Sequence, residues 1–169
     1  MRRSVILRLL GIDPGSRFTG FACIESNTGE HTFSLLGAGV LKPKSSADYC
    51  QRLGVLLSGF QSLLEEYRPD QIIIEKAFVH KNVSSALKLG EVRGAYLATA
   101  MQRGAKIGQV APKKVKKLVT GNGNASKEFV AECVSRLLNL DFSNAKNDVT
   151  DAAAIALSCI LSPNDAEWY

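Results

Sequence analysis

The sequence predicts an α/β fold, a mixed β-sheet flanked by helices, and three observations carry that reading. Three β-rich segments, near 4–12, 18–26 and 32–41, follow one another, parted by Gly, Pro, Ser and Asn turn signals. Beyond them, short apolar runs of strand length alternate with stretches of helical periodicity. A three-strand meander followed by such alternation implies a mixed sheet covered by helices.

The first strand runs apolar to Ile12 and stops at Asp13, with the turn Pro14-Gly15-Ser16 directly behind it. After the third strand, Ser45 and Asp48 form a capping box. Tyr49, Leu53, Leu56, Leu57, Phe60, Leu63, Leu64 and Tyr67 then repeat at helical spacing, and Pro69 closes that helix. Gln71-Ile72-Ile73-Ile74-Glu75 reads as a strand buried on both faces. A second helix spans about 84–102 and a strand lies near 107–110. Residues 113–119 read as helix, 121–126 as a loop, and 127–139 and 148–161 as helices. No internal repeat, linker or low-complexity tract interrupts this order, so 1–169 is expected to be one domain.

The bulk numbers narrow the function classes. A chain of 169 residues, 46% hydrophobic and 22% charged, has enough length for one substantial core. Its net charge of +5 and pI of about 9.1 favour a polyanionic partner. Arg8 breaks the only leader-like apolar stretch, and no stretch is long enough for a bilayer span, so no membrane partner is expected. The four cysteines are scattered without paired spacing, which argues against a zinc site or disulfide framework and for reduced thiols in a cytoplasm.

The acids carry the chemistry. A buried, unpaired carboxylate is costly unless a charge or metal compensates it. Glu75 repeats the pattern of Asp13, an apolar run that ends in an acid. On adjacent parallel strands the two emerge at the same end of the sheet, where open α/β sheets place their sites. Asp148 and Asp151, spaced i and i+3, share one helical face, which Ala152, Ile155, Ala156 and Cys159 continue as an apolar surface. Acids in a first helical turn complement the helix dipole and need mean nothing more. The apolar continuation, however, turns this face inward. Four inward acids raise one another's pKa, and divalent cations relieve the repulsion. Oxygen-only ligands suit Mg²⁺ or Mn²⁺. Asp13 is therefore read as a metal ligand.

These residues resemble those of a known family. Leu10-Gly11-Ile12-Asp13-Pro14-Gly15-Ser16 with Thr19-Gly20 is similar to the first motif of RuvC, the bacterial Holliday-junction resolvase. Ile73-Ile74-Glu75 with Phe78 and Lys81-Asn82 resembles its second motif, and 85–90 with Arg93-Gly94 the helix after it. Gly121-Asn122-Gly123 through Lys127 resembles its basic loop, and Asp148 with Asp151-Ala152 its final acidic helix. The resemblance implies a ribonuclease-H-like fold and a homodimeric, Mg²⁺-dependent endonuclease that nicks four-way DNA junctions symmetrically. It implies that Asp13, Glu75, Asp148 and Asp151 bind the metal, and that the motor proteins RuvA and RuvB are partners. Two positions depart from the family pattern: Val149-Thr150 between the last two acids, and Ser158-Cys159 where many relatives end the helix with histidine.

Phosphodiester hydrolysis must activate a water and stabilise a leaving oxygen, and two metals about 4 Å apart do both. The expected arrangement has Asp13 bridging the pair, Glu75 completing one site, and Asp148 and Asp151 serving the other. Lys113, Lys114, Lys116 and Lys117 fall on one side of a short helix opposite Val115, Leu118 and Val119. Such a run also suits a solvated face. Beside an acidic site, and with glycines exposing N–H groups before Lys127, a DNA backbone contact is the better reading. The resemblance singles out Lys116 and Lys127 for that contact, and Lys113 and Lys117 on the same basic face are further DNA-binding candidates. It also makes Phe78 an aromatic that stacks on a base at the crossover. Small residues at 86, 90, 94 and 98 form a stripe that suits close helix packing, within the subunit or, as in the family, between two. His31 and His80 read as turn or surface residues.

Three other classes suit the sequence less well. An actin-like phosphotransferase needs a second domain and phosphate loop, for which this chain is too short. A mere junction binder gains only repulsion from four acids. A ribonuclease-H-like nuclease acting on RNA or hybrids is set aside by the resemblance alone.

Overall fold

A computed structural model describes residues 5–27, 29–30, 32–76, 82–142, 145 and 147–169. Its centre is a six-stranded sheet. β1 (Ile6–Asp13), β2 (Thr19–Asn27) and β3 (Thr32–Leu41) form the expected antiparallel meander. β4 (Gln71–Glu75) lies parallel to β1, and β5 (Lys106–Val110) parallel to β4. The spatial order is β3-β2-β1-β4-β5-β6, where β6 (Glu167–Trp168) is a two-residue antiparallel edge that the sequence reading did not anticipate.

Alternation sorts the strands onto two cores. Leu10, Ile12, Cys23, Ile72, Ile74 and Ile107 face α1 (Tyr49–Tyr67) and α2 (Val83–Gln102). Leu9, Ala22, Ile24, Ile73 and Val110 face α3 (Pro112–Thr120), α4 (Lys127–Leu138) and α5 (Asn147–Leu161). Ile72, Ile73 and Ile74 are all fully buried, as a strand covered on both faces requires.

The helix ends follow from local chemistry. The α1 capping box joins Asp48 to Gln51, not Ser45 to Asp48: the Asp48 side chain takes the Gln51 N–H and the Gln51 side chain takes the Asp48 N–H. Arg68, at φ 46°, closes α1 ahead of Pro69. Pro112 opens α3, where its missing N–H is no loss, and Gly121, at φ 80°, ends it. Ser126 caps α4.

α5 lies against the sheet because both surfaces are small there. Ala152, Ala153, Ala154 and Ala156 are buried. A methyl built on Gly11 would fall 2.8 Å from the Ala156 backbone nitrogen. One built on Gly20 would fall 2.7 Å from the Asp148 carbonyl carbon. Only glycine admits the helix at that depth, and the approach brings its first turn down to the ends of β1 and β2.

Candidate active site

The parallel register Ile12↔Ile74 carries Asp13 and Glu75 out of the sheet at the same end. Asp13 lies opposite Gly20, and the close packing at Gly20 sets Asp148, and Asp151 one turn on, over that end. The result is a cleft of about 310 Å³ lined by Asp13, Glu75, Asp151, Lys116 and Lys127, walled by Pro112, Val115, Val130 and Ala154. Three elements thus bring three carboxylates to one cavity, and Asp148 stands close enough to act on Asp13.

The acids disturb one another as expected. Burial, then Asp151 and Asp148, push the Asp13 carboxyl up to about 6, against the pull of Lys127. Burial, then Asp13 and Asp151, push Glu75 up to about 7, while Arg93 and Lys127 draw it down. Lys127 Nζ lies 3.4 Å from Asp151 Oδ2, a partial answer to the excess negative charge. Lys116 Nζ donates to the Ala125 carbonyl at 2.7 Å, which ties the 121–126 loop to the rim of the cleft.

The other sequence candidates separate. Lys113 and Lys117 are exposed on α3 and do not line the cleft. Lys114 is paired with Asp165 at 2.6 Å. Phe78, Lys81, His31 and His80 lie outside the described residues. The two departures from the family pattern are absorbed by packing. Thr150 is buried, and the buried Ser158 donates its hydroxyl to the Ile155 carbonyl at 2.7 Å.

Arg93 is the residue that sequence reasoning missed, noted there only as part of a motif. It is buried on α2 beside Val92 and Tyr96, donates to the Glu75 backbone carbonyl, and reaches Gln109 Oε1 at 2.8 Å. Gln109 in turn donates to the Tyr169 hydroxyl at 2.8 Å. The network fixes the end of β4 from behind. Its signal was helical phase: an arginine on the same side as Val92, Tyr96 and Ala100 has to find acceptors inside.

Could these residues hold a divalent cation? The donor set is all oxygen, desolvated and mutually repelling, which suits a hard cation in kind. As placed, the side chains are not drawn together. Among the described residues no three His, Cys, Asp or Glu side chains converge tightly enough to grip an ion. The donor set thus fits a hard cation in its chemistry but not in the closeness of its side chains, and Lys127 supplies part of the positive charge.

Comparison with known proteins agrees with this geometry. The family described as crossover junction endodeoxyribonuclease RuvC matches residues 9–159. The RuvC of Chlorobaculum parvum is 44% identical over 154 residues, 91% of this chain and 81% of that protein. The RuvC of Halorhodospira halophila is 41% identical over 150 residues, 89% of this chain and 87% of its own. Among solved structures, T. thermophilus RuvC in complex with a Holliday junction substrate has a TM-score of 0.88 at 28% identity, covering 96% of this chain and 99% of that one. The yeast mitochondrial resolvase Ydc2, 16% identical with a TM-score of 0.69, shares the fold. Similarity at this level, running from the first strand to the last long helix, leaves one assignment: the chain belongs to the RuvC family of crossover junction endodeoxyribonucleases.

Proposed function

We propose that this protein resolves four-way DNA junctions as a homodimer, using Mg²⁺, or Mn²⁺ in its place, held by Asp13, Glu75, Asp148 and Asp151. The observation that carries the reading is that Asp13, Glu75 and Asp151 line one cleft together with Lys116 and Lys127. Divalent ions at such a site supply an activated water and stabilise the leaving oxygen of an in-line displacement. The chain's own residues do the rest. Lys116 and Lys127 attract the phosphodiester and lead it to the acids, each phosphate contact weakening as salt rises. Arg93 holds the Glu75 backbone in register. The glycine approaches keep α5 from drifting away from β1 and β2.

The dimer rests on the outer face of α2. Leu87, Gly90, Gly94, Ala98 and Met101 are exposed there, and methyls built on Gly90 and Gly94 would meet nothing within 4 Å. Among the described residues, then, nothing in the subunit packs on Gly90 or Gly94. A two-fold pair of such faces would give two opposed cuts on a nearly two-fold substrate. By the family's habit the dimer acts with RuvA and RuvB. Its four free cysteines suit a reducing cytoplasm. No helix among the described residues is long and apolar enough to cross a membrane.

The test sets a labelled immobile four-way junction, a duplex and an RNA–DNA hybrid side by side with Mg²⁺. The wild type should cut the junction in symmetric pairs. Asp13→Asn and Asp151→Asn should bind it with near-normal affinity and leave it uncut. Substantial cleavage by Asp13→Asn, or preference for the hybrid, would overturn the proposal.

A further inference from the structure

Across the turn that joins β1 to β2 lies a second depression, of about 350 Å³, lined by Arg17, Phe18, Lys42, Pro43, Ser45 and Arg52. Three cations meet there and the lining contains no acid. Arg17 and Lys42 are exposed, and neither forms an ion pair with the described residues. Arg52 donates through Nη1 to the Ala47 carbonyl at 2.7 Å, but its Nε is buried with no hydrogen-bond partner. Phe18 remains 42% exposed, with Lys42 Nζ 5.6 Å from its ring centre. Like charges gathered without a counter-charge, around a donor that lacks an acceptor, describe a site for an anion.

Its place in the fold says which anion. The pair Thr19↔Leu41 sets Phe18 beside Lys42 at the end of the sheet from which Asp13 emerges. β3 is two strands from β1, a separation of about 10 Å. Asp13 opens toward α5, whereas Arg52 belongs to α1, so the two depressions flank the 14–18 turn. Successive phosphates advance about 3.4 Å along one strand of a duplex, so the gap is on the order of three nucleotides.

We propose that this pocket binds backbone phosphates of the junction a few nucleotides from the scissile one, holding a DNA arm across the 14–18 turn. The assignment rests on the junction-cutting function proposed above. An extended strand is favoured over a free phosphate because three cations line the depression on the far side of the turn that follows Asp13, in a chain of net charge +5.

The test measures anisotropy of a labelled four-way junction against KCl, in EDTA, for the wild type and for Arg17→Ala with Lys42→Ala. Both side chains are exposed, so folding should survive; an unchanged circular dichroism spectrum checks it. The double variant should lose about two units of salt slope, near 0.9 per phosphate contact, and bind at least about tenfold more weakly at moderate salt. Arg68→Asn with Arg103→Gln removes two charges at the other end of the sheet and should keep the wild-type slope.

An unchanged slope in the first pair, or an equal loss in the second, would overturn the inference. So would saturable binding of inorganic phosphate that the first pair abolishes, because that marks a small-anion site. If Asp13→Asn is inactive as expected while the Arg17/Lys42 pair changes nothing, this inference alone fails. If the wild type shows no junction binding, both readings fall.

Discussion

Raising the pH from about 4 to 8 in a chelator should make this protein easier to unfold, and Asp13 and Glu75 set the size of the loss. Their ordinary values are 3.8 and 4.5, and in the folded chain they stand at about 6 and 7. Between those limits the native state holds protons that the unfolded state has released, so stability falls as pH rises. The fall begins near the unfolded values and levels off once pH passes the folded ones. At about 1.36 kcal/mol per pH unit, each carboxyl contributes a loss of roughly 3 kcal/mol at most, trimmed by solvent screening. For a chain of this length that is on the order of 10 °C in melting temperature for the two together. Glu128 and Asp165 work in the opposite sense, since their carboxyls are held below the usual range, so comparison with a variant isolates the site.

The variant is Asp13→Asn. It removes one of the two raised groups and relieves the other, because Asp13 is the largest charge acting on Glu75. In EDTA the variant should match the wild type near pH 4 and melt several degrees higher at pH 8. Mg²⁺ should then stabilise the wild type at pH 8 by mass action and leave Asp13→Asn nearly unmoved. Differential scanning fluorimetry across pH, with and without Mg²⁺, reads all four conditions. A parallel pH dependence for the two proteins in EDTA would refute the idea that these acids repel one another in a desolvated cleft.

Two further outcomes are expected. Gly20→Ala places a methyl 2.7 Å from the Asp148 carbonyl carbon, where ordinary contact begins near 3.4 Å. The first turn of α5 must therefore give way, costing about 1–3 kcal/mol in melting experiments and on the order of a hundredfold in single-turnover cleavage; full activity would show that α5 needs no such close approach. Gly94→Leu enlarges an exposed position on α2 where an added methyl meets none of the described residues within 4 Å, so the monomer should fold with an unchanged melting curve. Sedimentation should then reveal a weakened dimer and unpaired nicks, and a wild-type dimer would move the interface elsewhere.

Asp13 and Glu75 could be read because an apolar run that ends in an acid conflicts with its own burial, and local sequence carries that conflict. The strands and long helices were legible for a similar reason, since two cores impose period-2 alternation and helical phase. What escaped notice depended on tertiary placement. β6 is two residues that complete an edge, too short for any periodicity. The capping box shifted from Ser45 to Asp48 because Ser, Asp and Gln all lie within one short stretch, and the observed helix start selects among them. Four lysines on α3 look alike in sequence, yet only Lys116 lines the cleft. Arg17, Lys42 and Arg52 become neighbours only through the pairing of β2 with β3 and the packing of α1.

The site divides its charges by stiffness, and that division suits the ion-assisted junction cutting proposed above. Asp13 and Glu75 sit at the ends of buried strands, and Asp148 and Asp151 on a helix held against two glycines. Their repulsion cannot relax by backbone drift, so it is available as affinity for a cation. The lysines are the opposite case. The Lys127 side chain is 60% exposed and only 3.4 Å from Asp151, a pair of little energetic worth in solvent. It can leave the carboxylate for a phosphate at small cost, whereas the acids cannot move apart. Mutating the frame should therefore change the chemistry, and mutating the lysines should change affinity and its salt dependence, with little crossover between the two.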